Sequence, residues 1–164
     1  MNRKIFIAIK VPRKIIHTID MVKSTIVEPK YYNWSSGNNL HITNLFIGFR
    51  NETDIPNIIE KISIVTKKIE KFHTLIESTG LFSRNHNNQI LWLGINDKNK
   101  SLYKINYELR SILNEYLLMN KNLKYIPHIT IARKKKQYLS NKIDVNDFIN
   151  SVYFPIEFQI KYLI

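Results

Sequence analysis

The chain has 164 residues, 44% of them hydrophobic and 23% charged, and no cysteine. That length fits one domain or two small lobes sharing a core, and the lack of thiols excludes disulfides, thiolate metal sites and cysteine nucleophiles. A formal charge of +12 suits a polyanionic partner, while the abundance of Ile, Asn and Lys also allows a plainer origin in compositional drift on a solvated face.

Residues 3–11 alternate as a strand, with Ile5, Ile7 and Ile9 on one side and Phe6 and Ala8 on the other. Its apolar part is too short for a signal peptide and no run approaches the ~20 residues of a membrane span, so a cytoplasmic location is expected, with no membrane partner. Pro12 ends the strand, and residues 13–27 read as a helix with Ile15, Ile16, Ile19, Val22 and Ile26 at helical spacing. The polar loop YYNWSSGNN leads into a strand over 40–49. Asp54 suits the N-cap of a helix over 55–71, whose Ile55, Ile58, Ile59, Ile62, Val65 and Ile69 form one apolar stripe. Strands over 73–82 and 89–96 are joined by SRNHNN, an Asn-rich turn. A helix over 99–119 turns Leu102, Ile105, Leu109, Ile112, Leu113 and Tyr116 inward. A strand over 127–133, a basic loop, a short helix near 144–150 and a closing strand near 154–163 complete the chain. The order splits into two similar halves with no linker, so a single two-lobed domain over 1–164 is expected.

Each half holds one His-Ile-Thr triplet, HITNLFIGF from His41 and HITIAR from His128. A lone triplet reads well as a half-buried histidine beside a strand-forming threonine. Two of five histidines followed by threonine at i+2 point instead to one shared site. Strand side chains two apart share a face, so His41 pairs with Thr43 and His128 with Thr130, each pair spaced by ~6.6 Å. If the lobes are related by a pseudo-two-fold, two imidazoles and two hydroxyls face one small group across a cleft. A phosphodiester suits that arrangement. One neutral imidazole takes a proton from attacking water and a protonated one hands a proton to the leaving oxygen, while the hydroxyls hold non-bridging oxygens. No HxH, HxxxH or carboxylate cluster accompanies either triplet, so neither metal nor cofactor is expected.

With RKIFIAIKVP at the N-terminus, a Trp and NLHIT before the first motif, GLF then ILWLGI in the middle and PHITIAR near the end, the chain resembles the two-histidine (2H) phosphoesterases. Within these it is most similar to the RNA 2′,3′-cyclic phosphodiesterases, also called 2′-5′ RNA ligases. The resemblance implies an α+β, bilobal fold in which two antiparallel sheets with pseudo-two-fold symmetry line a central cleft, with helices on the outer faces. It implies metal-independent hydrolysis of RNA 2′,3′-cyclic ends to a 2′-phosphomonoester, with His41 as proton donor, His128 as proton acceptor, and Thr43 and Thr130 beside them. The expected partner is RNA bearing a 2′,3′-cyclic phosphate or a 2′-5′ linkage, met by a monomer. A 2′-5′ ligase, an enzyme for another cyclic or 2′-5′-linked phosphodiester, or a non-catalytic RNA-binding module are the alternatives.

After the first triplet the family usually shows an apolar and then often a basic residue, where this chain has Asn44 and Leu45. Asn44, on the face of Ile42 and Phe46, needs a hydrogen-bond partner if buried. The sequence stops at Ile164, sooner than many relatives, whose C-terminal strand continues, so the expectation is either a weakened edge or a smaller substrate platform. Arg133 faces away from His128 by simple alternation unless the strand bulges, and it reads equally as a phosphate ligand or a structural salt bridge. The run RKKK over 133–136 reads as an RNA-tracking segment or a solvated loop. Phe82, Trp34, Tyr31 and Tyr32 are candidates for stacking on a base, with core or loop-anchoring roles as the alternative.

Overall fold

In a computed structural model that describes residues 1–24, 29–84, 88–117, 124–138, 148 and 155–160, the first alternating segment becomes β1 (Asn2–Lys10), followed by α1 (Arg13–Lys23) and a short β2 (Tyr32–Trp34). The first motif opens β3 (His41–Asn51), which pairs antiparallel along the length of β1. After α2 (Ile55–Thr66) come β4 (Phe72–Arg84) and β5 (Asn88–Asn96), then α3 (Ser101–Ile112). The second motif opens β6 (His128–Lys134), and β7 (Ile156–Ile160) closes the described chain.

The strands are antiparallel throughout, giving a mixed α/β architecture. Among the described residues there is one sheet in place of two, in the order β1-β3-β6-β5-β4-β7, with β2 also on β6. The physical reason is a single junction: Ile42 of β3 pairs with Ile129 of β6, and both side chains are fully buried. Two apolar clusters hold the layers together. One gathers Ile9, Ile15 and Ile19 with Ile42, Leu91, Leu93 and Ile129, and the other seats Ile58 and Val65 of α2 with Ile105 and Leu109 of α3 on Ile7, Leu45 and Ile47. Among the described residues no helix is long and apolar enough to cross a membrane.

The helices are shorter than their periodicity predicts. At the end of α2 the amides of Lys68 and Ile69 bond back three residues, to Val65 and Thr66, so the coil tightens and stops before 71. Past α3, Leu113 leaves helical geometry and Asn114–Tyr116 form a 3-10 turn. Asp54 makes no capping bond; the Asn51 side chain instead accepts from the Thr53 amide and starts the turn that leads into α2. Ile59, one residue on from buried Ile58, is rotated off the stripe and 60% exposed. Ile26, the hairpin tip at 85–87 and most of the helix expected near 144–150 lie outside the described residues, although Phe148 is described and buried.

Candidate active site

The Ile42–Ile129 pair fixes which way both motifs point. Residues opposite one another in a ladder share a face, and their neighbours take the other. With both isoleucines turned into the core, His41, Thr43, His128 and Thr130 all emerge on the opposite side of the same sheet, each half-buried.

Both strands then break alternation at the same point. Pairing of β3 with β1 passes from Thr43–Ala8 to Leu45–Ile7 and skips Asn44, while pairing of β6 with β5 passes from Thr130–Trp92 to Ala132–Leu91 and skips Ile131. Each skipped residue is the fourth of its motif. An extra residue in one strand shifts the parity beyond it, so Phe46 and Arg133 return to the face of the histidines and both are exposed. Alternation alone would have turned Arg133 away, and the bulge decides the matter. It also separates Asn44 from Phe46: Asn44 is buried, on the core side, where its Nδ2 donates to the Leu102 carbonyl at 3.3 Å and to the Tyr125 hydroxyl at 3.4 Å. Burial pushes that phenol well above its ordinary pKa and keeps it protonated.

The two imidazoles are oriented alike. The Nδ1–H of His41 donates to the carbonyl of Asn39 at 2.7 Å, and that of His128 to the carbonyl of Ile126, also at 2.7 Å. Because a carbonyl can only accept, the neutral ring in each case carries its lone pair on Nε2. Burial holds the His128 pKa below the usual histidine value; the bond to Ile126 opposes this, and the charges of Arg133 and His41 add to the depression. His128 therefore lies within electrostatic reach of His41.

Aromatic rings back each histidine. Phe82 stands edge-on to His128 with centroids 5.0 Å apart, and stacks on Trp92 at 5.0 Å. Phe6 lies against the His41 ring at 5.1 Å, opposite Phe46 in the ladder. Trp92 rests on Gly80, where a Cβ atom would come within 2.1 Å of the indole, so no larger residue fits under it. A cleft of about 560 Å³ is lined by Thr43, Phe46, Phe82 and His128 together with Asn106 and Arg110 of α3, while His41 borders a second hollow with Phe6, Ala8 and Lys10.

Trp34, expected at the site, is placed elsewhere. It pairs with Ala132, on the core side of β6, donates from Nε1 to the Pro29 carbonyl at 2.9 Å and packs against the core. Asn33, beside it, is the residue that faces Arg133. Tyr32 is buried, its hydroxyl on Gln89 and its pKa pushed up by burial to about 12, and Tyr31 packs on Tyr138. The run over 133–136 is not one basic surface, because Lys134 is buried. Phe6, Phe46, Trp92, Asn106 and Arg110 were missed as site residues. Phe6 could have been flagged by its parity with Ala8 and Asn106 by its place among the apolar positions of α3, whereas the facing of Phe46 depends on the bulge against β1.

A family model described as the 2′-5′ RNA ligase superfamily matches residues 11–163. The chain is 31% identical over 102 residues to the RNA 2′,3′-cyclic phosphodiesterase of Thermotoga maritima, a match covering 62% of this chain and 54% of that protein. It thus aligns with little more than half the length of that relative. To the RNA 2′,3′-cyclic phosphodiesterase of Methanocaldococcus jannaschii it is 28% identical over 156 residues, 94% of this chain and 83% of the other. The crystal structure of TT0787 of Thermus thermophilus shares the fold, with a TM-score of 0.77 at 18% identity over 98% of this chain and 86% of that one.

Proposed function

The chain belongs to the 2′-5′ RNA ligase superfamily, and from that premise we propose that it hydrolyses RNA 2′,3′-cyclic phosphate ends to a 2′-phosphomonoester. The observation that carries this reading is the presentation of both His-Ile-Thr triplets on one face of a sheet joined at Ile42 and Ile129. Its curated relatives bear the name of this activity.

In the reaction, Nε2 of neutral His128 takes a proton from a water molecule as the water oxygen attacks phosphorus. The bond from phosphorus to O3′ breaks, and O3′ receives the proton of His41 Nε2, leaving a 3′-hydroxyl and a 2′-phosphate. The depressed pKa of His128 favours the neutral form that a base requires. Thr43 and Thr130 donate to the non-bridging oxygens, and Arg133, brought onto the same face by the bulge at Ile131, balances charge that grows on them. Phe82, edge-on to His128, offers a flat apolar surface for the terminal base.

The two halves work as pseudo-two-fold mates in this reading. Supporting it, the first seven residues of β3 and β6 share one burial pattern, both motifs skip their fourth residue, and both histidines bond the carbonyl two residues before them.

The test is a substrate panel: oligonucleotides ending in 2′,3′-cyclic phosphate, 3′,5′-cyclic nucleotides and 2′-5′-linked dinucleotides, with products identified by phosphorus NMR. Turnover of the first class to a 2′-phosphate is expected. Turnover confined to the other classes, or a 3′-phosphate product, would overturn the proposal.

A further inference from the structure

The cleft beside His128 carries two cations. Arg110 and Lys124 line it, and among the described residues no Asp or Glu does. Arg110 is held in place: its Nε–H donates to Asn106 Oδ1 at 3.2 Å. Asn106 is itself buried, and its Nδ2 donates to the carbonyl of Asn44, the skipped residue of the first motif. This relay ties the guanidinium to the strand that carries His41 and Thr43, and among the described residues no carboxylate pairs with Arg110 or Lys124. Phe46, Phe82 and Leu117 line the same cleft, and apolar walls lower the local dielectric and strengthen bonds to an anion.

A guanidinium oriented through Nε still offers its outer N–H groups as a fork that matches a phosphate. His41, His128, both threonines and Arg133 already account for the scissile phosphate, so these two cations are left for a different one. We propose that Arg110 and Lys124 form a second phosphate subsite, which binds the phosphodiester one nucleotide upstream of the cyclic end. This rests on the functional reading above and narrows its substrate class to an RNA chain, with a free cyclic mononucleotide the poorer substrate.

The decisive comparison uses two dinucleotides ending in 2′,3′-cyclic phosphate, one with an ordinary internal phosphodiester and one with an uncharged methylphosphonate in its place. The unaltered protein should turn over the charged linkage with a kcat/KM about tenfold higher, the size of one or two charge-assisted hydrogen bonds, and the gap should lie in KM. Arg110→Ala should narrow the gap. Since that change also removes a partner of Asn106, Lys124→Ala, at an exposed side chain, is the second variant and should narrow it too. Lys67→Ala, past the end of α2, should retain it. Equal turnover of both linkages by an active, unaltered protein, or a gap that survives both substitutions, would overturn the subsite alone. Inactivity toward every cyclic-phosphate substrate would overturn the hydrolytic reading and this inference with it.

Discussion

Ile42 lies opposite Ile129, and this one backbone pair joins the half of the sheet that holds the first motif to the half that holds the second. Both side chains are buried to 0% exposure, so the relative placement of His41 and His128 rests on packing rather than on a long ladder. Ile129→Ala should therefore destabilise the protein by about 2 to 5 kcal/mol, the usual cost of emptying a well-packed core position. It should also lower activity beyond the fraction unfolded. Denaturant unfolding and kcat/KM under folding conditions check both; a loss below about 1 kcal/mol with full activity would mean that the junction does not position the site.

Arg133 offers a second test, because its usefulness depends on the bulge. Arg133→Ala should lower kcat/KM by about 10- to 100-fold, as expected for a charge-assisted contact to a phosphate. It should also raise the pKa of His128, since a neighbouring cation disfavours the imidazolium and its removal relieves that. The acidic limb of the pH profile should move to higher pH in the variant. A fall in activity with no such movement would assign Arg133 to substrate contact only.

The depressed pKa of His128 also makes a statement about stability. Folding lowers its proton affinity, so between its folded value and the ordinary ~6.5 the unfolded chain carries more protons. Stability contributed by the neutral ring is present above that window and is lost as pH falls through it. Unfolding free energies measured at about pH 7.5 and about pH 5 should show a smaller drop for His128→Gln than for the unaltered protein. An identical drop would place the acid sensitivity elsewhere.

Gly80 is expected to tolerate no side chain. A methyl group there would meet the Trp92 indole, which in turn stacks on Phe82, the ring against His128. Gly80→Ala should cost about 1 to 3 kcal/mol through overpacking, and it should reduce activity although Gly80 touches no substrate. A variant of normal melting temperature and activity would show that the aromatic stack is not needed to support His128.

Much of the site could be read from the sequence because its signal is local. Period-two spacing put each histidine on the face of its own threonine, and the recurrence of the triplet linked two distant strands. What could not be read depends on the partner strand. The bulges at Asn44 and Ile131 exist only as mismatches against β1 and β5, so the facing of Phe46 and Arg133 was left open or assigned to the wrong side. Trp34 sits in a polar loop sequence that invites exposure, yet register with Ala132 turns it inward. The union of two expected sheets into one hangs on a single residue pair that no periodicity announces. Helix ends failed for a similar reason: apolar spacing continues to Ile69, although the backbone has already tightened into three-residue bonds.

In the proposed mechanism His41 and His128 act together as acid and base in one displacement. The most direct measurement is the rate of hydrolysis of a 2′,3′-cyclic-phosphate oligonucleotide by His41→Ala, His128→Ala and the double variant, each shown to be folded. Each single substitution should cost about 10²- to 10⁴-fold, and the double variant should be little worse than the poorer single, because groups that serve one transition state are strongly non-additive. Near-normal turnover by either single variant, or losses that multiply fully in the double, would contradict the two-histidine mechanism.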